Sequence, residues 1–246
     1  MPRRLKPHIL STVLRTDTDL DLDVHPFNIP AVREMDRIEY HPNVTFFVGE
    51  NGSGKSTVLE GLALAMGFGP EGGTKNIRVS TTDSVSGLHD HMRVARGVPA
   101  PRDGFFLRAE SLFNIATYVD GVDASGSYGG KSLHRQSHGE AFLAVMLNRF
   151  GGRGLYLLDE PEAALSPARQ LAALRLIHDL VEDGSQFIIA THSPILLAYP
   201  HARIYRFGSE GIEAIAYEDT EHFTITRDFL NHHEKRIEQL LNDSDA

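Results

Sequence analysis

The stretch Gly49-Glu50-Asn51-Gly52-Ser53-Gly54-Lys55-Ser56-Thr57 constrains the fold more than any other part of the chain. Gly49, four residues, then Gly54-Lys55-Ser56 is the spacing of a phosphate-binding loop. Glycines at 49, 52 and 54 let the backbone curl until successive N–H groups point inward at an anion. The apolar, β-branched and aromatic run Val44–Val48 enters the loop as a buried parallel strand would, and STVLEGLALAM leaves it with strong helix formers. Strand, loop and helix in that order predict a helix N-terminus facing phosphate. Asn51, Gly52, Ser53, Gly54, Lys55, Ser56 and Thr57 are the nucleotide-binding candidates, with Lys55 reaching the β- and γ-phosphates and Ser56 ligating Mg²⁺.

The rest of the chain reads as strands alternating with helices, an α/β pattern with a largely parallel sheet. Residues 1–45 are strand-like pieces broken by Pro26, Pro30 and Pro42, which suggests an antiparallel edge ahead of the loop. Residues 67–104 are rich in Gly, Pro and Ser and read as irregular. FFLR (Phe105–Arg108) reads as a strand and ESLFNIATYVD as a short helix. A second glycine-rich loop, GVDASGSYGGKSLHRQ, carries Lys131, His134 and Arg135 and precedes a helix with apolar Phe142, Leu143, Val145, Met146, Leu147 and Phe150. SPARQLAALRLIHDLVEDG is an amphipathic helix with Ser166 as N-cap, Pro167 at its first position and Gly184 beyond its end. RIYRF and GIEAIAY suggest a hairpin. The tail is a predicted amphipathic helix with Phe229, Leu230, His233, Ile237 and Leu241 toward one side.

Two further apolar runs end in polar residues. LYLLDE closes on Asp159 and Glu160, and QFIIATHS closes on Thr191 and His192. In open parallel sheets ligands sit beyond the carboxyl ends of the strands, so these tips and Gly49 are candidates for one crevice. Asp159 there can bind Mg²⁺, Glu160 can orient and deprotonate an attacking water, and His192 can donate to a γ-phosphate. The pairs His89/His91 and His232/His233 supply no convergent ligand set and read as surface histidines.

GENGSGKST, then SHGE, LYLLDEPE, ALSP and ATHSP resemble, in that order, the nucleotide-binding domain of the ABC class of ATPases over roughly residues 30–207. The resemblance is to the soluble branch that holds the chromosome-maintenance and double-strand-break-repair ATPases and compact bacterial ATPases. It implies a P-loop NTPase fold of the ABC type: one domain over residues 1–246, a region of about 67–140 carrying the signature motif, and a C-terminal helix of about 218–246. It also implies that Ser137, Gly139 and Glu140 form the signature, which in the family completes the ATP site of a second subunit in a head-to-tail dimer. Three departures stand out. His138 occupies the first of two positions where the family has adjacent glycines, Ser166 stands where it has Asp, and no glutamine follows the FFLR strand. Glu110 is the substitute metal-side residue there.

Composition bounds the rest. The chain has no cysteine, so a disulfide scaffold and a thiolate zinc site are excluded. No run of 18 apolar residues occurs and no signal peptide is evident, so a cytoplasmic protein is expected. A net charge of −9 does not support general nucleic-acid affinity. The expected activity is MgATP hydrolysis with ATP-dependent homodimerisation, driving an unidentified partner protein or a nucleic-acid process. The alternative is the ATPase subunit of a membrane ABC transporter, and a nucleotide-gated binding module is a third reading.

Overall fold

The computed structural model describes residues 7–15, 20–75, 86–121 and 131–242. Its elements are β1 (Ile9–Leu14), α1 (Pro30–Arg33), β2 (Arg37–Glu39), β3 (Val44–Val48), α2 (Lys55–Ala65), β4 (Met92–Arg96), β5 (Asp103–Arg108), α3 (Leu112–Gly121), α4 (His138–Arg149), β6 (Gly154–Asp159), α5 (Pro167–Glu182), β7 (Gln186–Ala190), α6 (Pro194–Leu197), β8 (Arg203–Gly208), β9 (Gly211–Ile215) and α7 (Glu221–Asn242). The main sheet runs β5-β6-β7-β3-β8-β9, parallel except where β9 returns antiparallel to β8. Every residue of β3, β6 and β7 is buried, because helices or a second sheet cover both faces. Alternate strand residues feed separate cores: Phe46 joins Phe142, Val145 and Ile177 of α4 and α5, whereas Phe47 joins Val58, Leu59 and Leu62 of α2.

The expected antiparallel edge is a separate sheet, β2-β1-β4. Its third strand, β4, falls inside the stretch read from sequence as irregular. Only Met92 of MRVAR is buried, so the strand carries little alternation and is defined by its pairing with β1. Gly61 admits β4 against α2, since a Cβ there would stand 2.8 Å from Met92 Sδ. Part of the glycine-rich loop before α4 lies outside the described residues, as does part of the 67–104 stretch.

Two helices differ in burial from their sequence patterns. In α4, Phe142, Val145 and Met146 are fully buried but Leu147 is 63% exposed, so the helix hides one broad face. In α7 no described residue is buried. Its first turn is anchored by Thr220, whose Oγ1 accepts from Phe223 N and donates to Tyr217 O; the helix then departs from helical geometry at His232.

Gln186 joins the two sheets. Its Oε1 accepts from Ile9 N at 2.8 Å, and its Nε2 donates to Ile9 O at 2.9 Å and His41 O at 3.0 Å. A buried side-chain amide thereby serves backbone groups that face another sheet, and each such bond contributes about 1 kcal/mol while an orphaned group costs more. Gln186→Leu is expected to destabilise the fold by about 2–4 kcal/mol in urea unfolding. A change below about 0.5 kcal/mol would show that the two sheets are held together elsewhere.

Candidate functional site

The carboxyl ends of the central strands form one row. Arg108 is in register with Asp159, Asp159 with Ala190, and Ala190 with Phe47. Beyond the row the ladder continues through Glu160 N donating to Ala190 O at 2.9 Å and Thr191 N donating to Phe47 O at 3.1 Å. The three strand tips therefore end side by side on one edge of the sheet, with the phosphate loop following β3, while Gly49 and the Asp159–Glu160 pair line two separate cavities.

The loop has the backbone its glycines permit: φ is +144° at Gly49, +79° at Gly52 and +99° at Gly54. Gly49 also needs the absence of a side chain, since a Cβ would lie 2.4 Å from Phe207 O. Lys55 folds back beneath the loop, its Nζ donating to Gly49 O and Glu50 O at 2.8 Å each. Burial pushes the Lys55 pKa below its ordinary value, while Glu160, Asp159 and Glu162 oppose that shift. Ser53 Oγ is buried without a hydrogen-bond partner among the described residues. A loop with a free buried hydroxyl, a buried ammonium and a helix N-terminus fits a polyphosphate. Asn51, Gly52 and Ser53 also line an adjoining cavity of about 740 Å³ that extends to Phe207 and His222.

Asp159 is buried at the tip of β6. Ser56 Oγ donates to its Oδ1 at 2.8 Å, and Arg108 Nε lies 3.5 Å from Oδ2. Burial pushes the Asp159 pKa up to about 6 against the pull of Ser56 and Arg108, with Glu160 and Glu110 adding to the rise. The Ser56 hydroxyl and Asp159 carboxylate make a hard-oxygen pair suited to Mg²⁺. Arg108 also meets Glu60 at 2.9 Å and pairs with Glu110. Glu110, the expected stand-in for the missing glutamine, is 70% exposed on its side chain and reaches Asp159 only through that guanidinium. A cavity of about 450 Å³ over this cluster is lined by Ser56, Arg108, Glu110, His138, Asp159 and Glu160.

Glu160 adopts φ +47°, ψ +52°, a left-handed conformation that a non-glycine residue holds at a cost of about 1–3 kcal/mol. The turn throws its carboxylate out of the strand, to 3.7 Å from His192 Nε2. His192 is itself placed from behind. Glu162 accepts from the His192 backbone N at 2.5 Å and from Thr191 Oγ1 at 2.6 Å, and burial raises the Glu162 pKa. His192 Nδ1 lies 3.0 Å from His222 Nε2, at the start of α7.

The signature residues lie on a neighbouring surface. Ser137 and Glu140 close a capping box at the start of α4, and Arg169 of α5 reaches both, at 3.3 Å to Ser137 Oγ and 3.2 Å to Glu140 Oε1. The Glu140 pKa is held down first by the Ser137 backbone N–H, with Arg169 adding to it. Gly139 is required by packing, since a Cβ would come within 2.6 Å of Ala164 O. His138 Nε2 is 3.2 Å from Ala109 O. The structure thus gathers Lys55, Ser56, Asp159, Glu160 and His192 in one site and sets Ser137, Gly139 and Glu140 apart, braced against α5.

Sequence reasoning missed Arg108, Glu162 and His222. Arg108 closes the apolar FFL run as Asp159 closes LYLL, and that strand-end logic reaches it. Glu162 stands in the acidic Glu160-Pro161-Glu162 run. His222 carries no local signal, because its place depends on where α7 begins.

Two family models match the chain. One, described as "AAA domain", covers residues 24–97, and the other, "AAA domain, putative AbiEii toxin, Type IV TA system", covers residues 140–198. No curated protein matches significantly in sequence. Among solved structures, the SMC head domain from Thermotoga maritima is similar at 14% identity and a TM-score of 0.46, covering 85% of this chain and 98% of that one. The cbiO1 protein from Clostridium perfringens, part of the ABC transporter complex cbiONQ, is similar at 17% identity and a TM-score of 0.47, covering 96% and 99%. The parallel sheet, the glycine-rich loop after β3 and the acidic end of β6 have the arrangement of a phosphate-loop nucleotide-binding fold. The order of the chain's motifs resembles that of the ABC class of ATPases, and both family matches are to AAA domains.

Burial of Asp159 has a measurable consequence. Its folded pKa of about 6 lies above the ordinary 3.8, so holding the ionised carboxylate costs the fold about 3 kcal/mol. The cost is present in full above pH 6, shrinks as pH falls toward 3.8, and is absent below that. Asp159→Asn, which leaves Arg108 its Glu60 and Glu110 partners, is expected to raise Tm at pH 7.5 by a margin that closes toward pH 4. An unchanged or lower Tm at pH 7.5 contradicts this account.

Proposed function

We propose that the chain binds MgATP at this strand-end row, hydrolyses it, and couples the cycle to closure of a head-to-tail homodimer. The observation that carries the reading is the convergence of Lys55, Ser56, Asp159, Glu160 and His192 on one edge of the sheet. In this reading the loop amides and Lys55 hold the β- and γ-phosphates, and Ser56 and Asp159 hold Mg²⁺. When bound, Mg²⁺ supplies charge neutralisation on the phosphate oxygens. Glu160, thrown clear of the strand by its left-handed backbone, takes the proton of the attacking water. His192 Nε2, buried and without a hydrogen-bond partner among the described residues, donates to the γ-phosphate. Glu110 acts on the metal side indirectly, by drawing on the Arg108 guanidinium beside Asp159.

Ser137, Gly139 and Glu140 serve the second copy's nucleotide. The capping box and Arg169 brace the N-terminus of α4 as a rigid cap whose exposed end carries Ser137. Among the described residues no helix is long and apolar enough to cross a membrane. We assign the energy of the cycle to work on a partner protein; the net charge of −9 argues against general nucleic-acid affinity.

Glu160→Gln keeps the size and the ATP contacts but removes the base. It is expected to lower ATP turnover by about 10²–10⁴-fold while ATP binding persists. With ATP the variant should elute as a dimer in size-exclusion chromatography, and without it as a monomer. Wild-type turnover in this variant overturns the assigned base, and an ATP-loaded variant that stays monomeric overturns the dimer.

A further inference from the structure

The mechanism gives no role to the ring that His192 touches. His222 projects from the first turn of α7 and meets His192 ring to ring, Nε2 to Nδ1 at 3.0 Å. The first turn of α7 is a fixed platform: Thr220 is fully buried and caps it, and Tyr217, just before it, donates its hydroxyl to Pro194 O at 2.9 Å. His222 is therefore held by one element and His192 by another.

We propose that His222 is a positioning residue that donates its Nε2–H to His192 Nδ1 and so keeps the His192 proton on Nε2, facing the reaction centre. The inference rests on the role given to His192 above. A neutral imidazole has one N–H donor and one bare acceptor nitrogen, so a bond between two rings needs one of each. Burial lowers the pKa of both rings, and the nearby Lys55 lowers each further, which keeps both neutral. Direction is then set by what His192 Nε2 faces. Glu160 Oε1 lies 3.7 Å from that nitrogen, and a carboxylate attracts an N–H and repels a lone pair. The proton belongs on Nε2, Nδ1 is bare, and His222 must be the donor. Glu162 contributes from the other side by fixing the His192 backbone, so the ring is held at its main chain and at its far nitrogen. With the opposite tautomer His192 would present a lone pair to a phosphate oxygen and could not donate.

The wild-type protein tests this directly. Long-range ¹H–¹⁵N correlation on histidine-labelled protein, with the ring assigned by its loss in His192→Gln, should show His192 protonated at Nε2 and bare at Nδ1. A ring protonated at Nδ1 overturns the proposal. His222→Ala is expected to lower kcat by about 10–100-fold with KM for ATP within about twofold, the scale on which loss of an orienting partner acts. His222→Gln, whose amide N–H reaches a similar position, should recover most of that loss, which a merely structural role would not predict. The His192→Ala/His222→Ala pair should be no slower than His192→Ala alone. Wild-type turnover in His222→Ala overturns the positioning role. Wild-type turnover in His192→Ala instead overturns the role of His192 itself, so the two failures are told apart. Should His222→Ala not fold, the wild-type tautomer and the His222→Gln rate still decide.

Discussion

A carboxylate held out of water at the end of a buried strand is the constraint around which the site is organised. Asp159 keeps its charge only through donors brought from elsewhere: Ser56 from the first turn of α2 and Arg108 from the neighbouring strand. Each donor is there because the parallel sheet runs in a fixed register. Arg108 and Asp159 are paired residues of β5 and β6, and β3 delivers the phosphate loop on the far side of β7. A one-residue slip of any of these strands would turn its site residue to the other face of the sheet.

Charge in the site is balanced by position. Lys55 sits among Glu160, Asp159 and Glu162, and Arg108 sits among Glu60, Glu110 and Asp159. The two cations are held differently. Lys55 spends its hydrogen bonds on loop carbonyls and thereby shapes the loop, whereas Arg108 spends its bonds on carboxylates. The histidine pair lies inside the row, where β7 runs between the strand of Asp159 and the strand of the phosphate loop, and the first turn of α7 brings His222 to it. α7 thus has a dual character: its first turn belongs to the site, and the remainder lies exposed beyond it.

Much of the site was legible because it obeys local rules. The phosphate loop is a spacing of glycines and a lysine, and Asp159, Glu160 and His192 each end an apolar run that reads as a buried strand. Ser166 and Pro167 mark a helix start that the structure retains. Other features were hidden for physical reasons. β4 has one buried residue and no alternating pattern, so only its partner β1 defines it. The need for glycine at 139 comes from Ala164 O and Arg169, which are remote in sequence. Glu110 held the expected place after the β5 strand, but the ion pairing of its carboxylate with Arg108 depends on two long side chains meeting.

The sequence by itself determined the class of chemistry: a phosphate loop between strand and helix, two acids and a histidine at strand ends, and a serine-led helix start. These depend on neighbours a few residues apart, where backbone conformation and periodicity act. Only the tertiary structure decided which of these groups meet. It put Arg108 on Asp159, Glu162 behind His192, and His222 against the His192 ring. Those contacts join residues about 30 to 50 positions apart in the chain, and their geometry exists only after β5, β6, β7 and α7 have been packed into register.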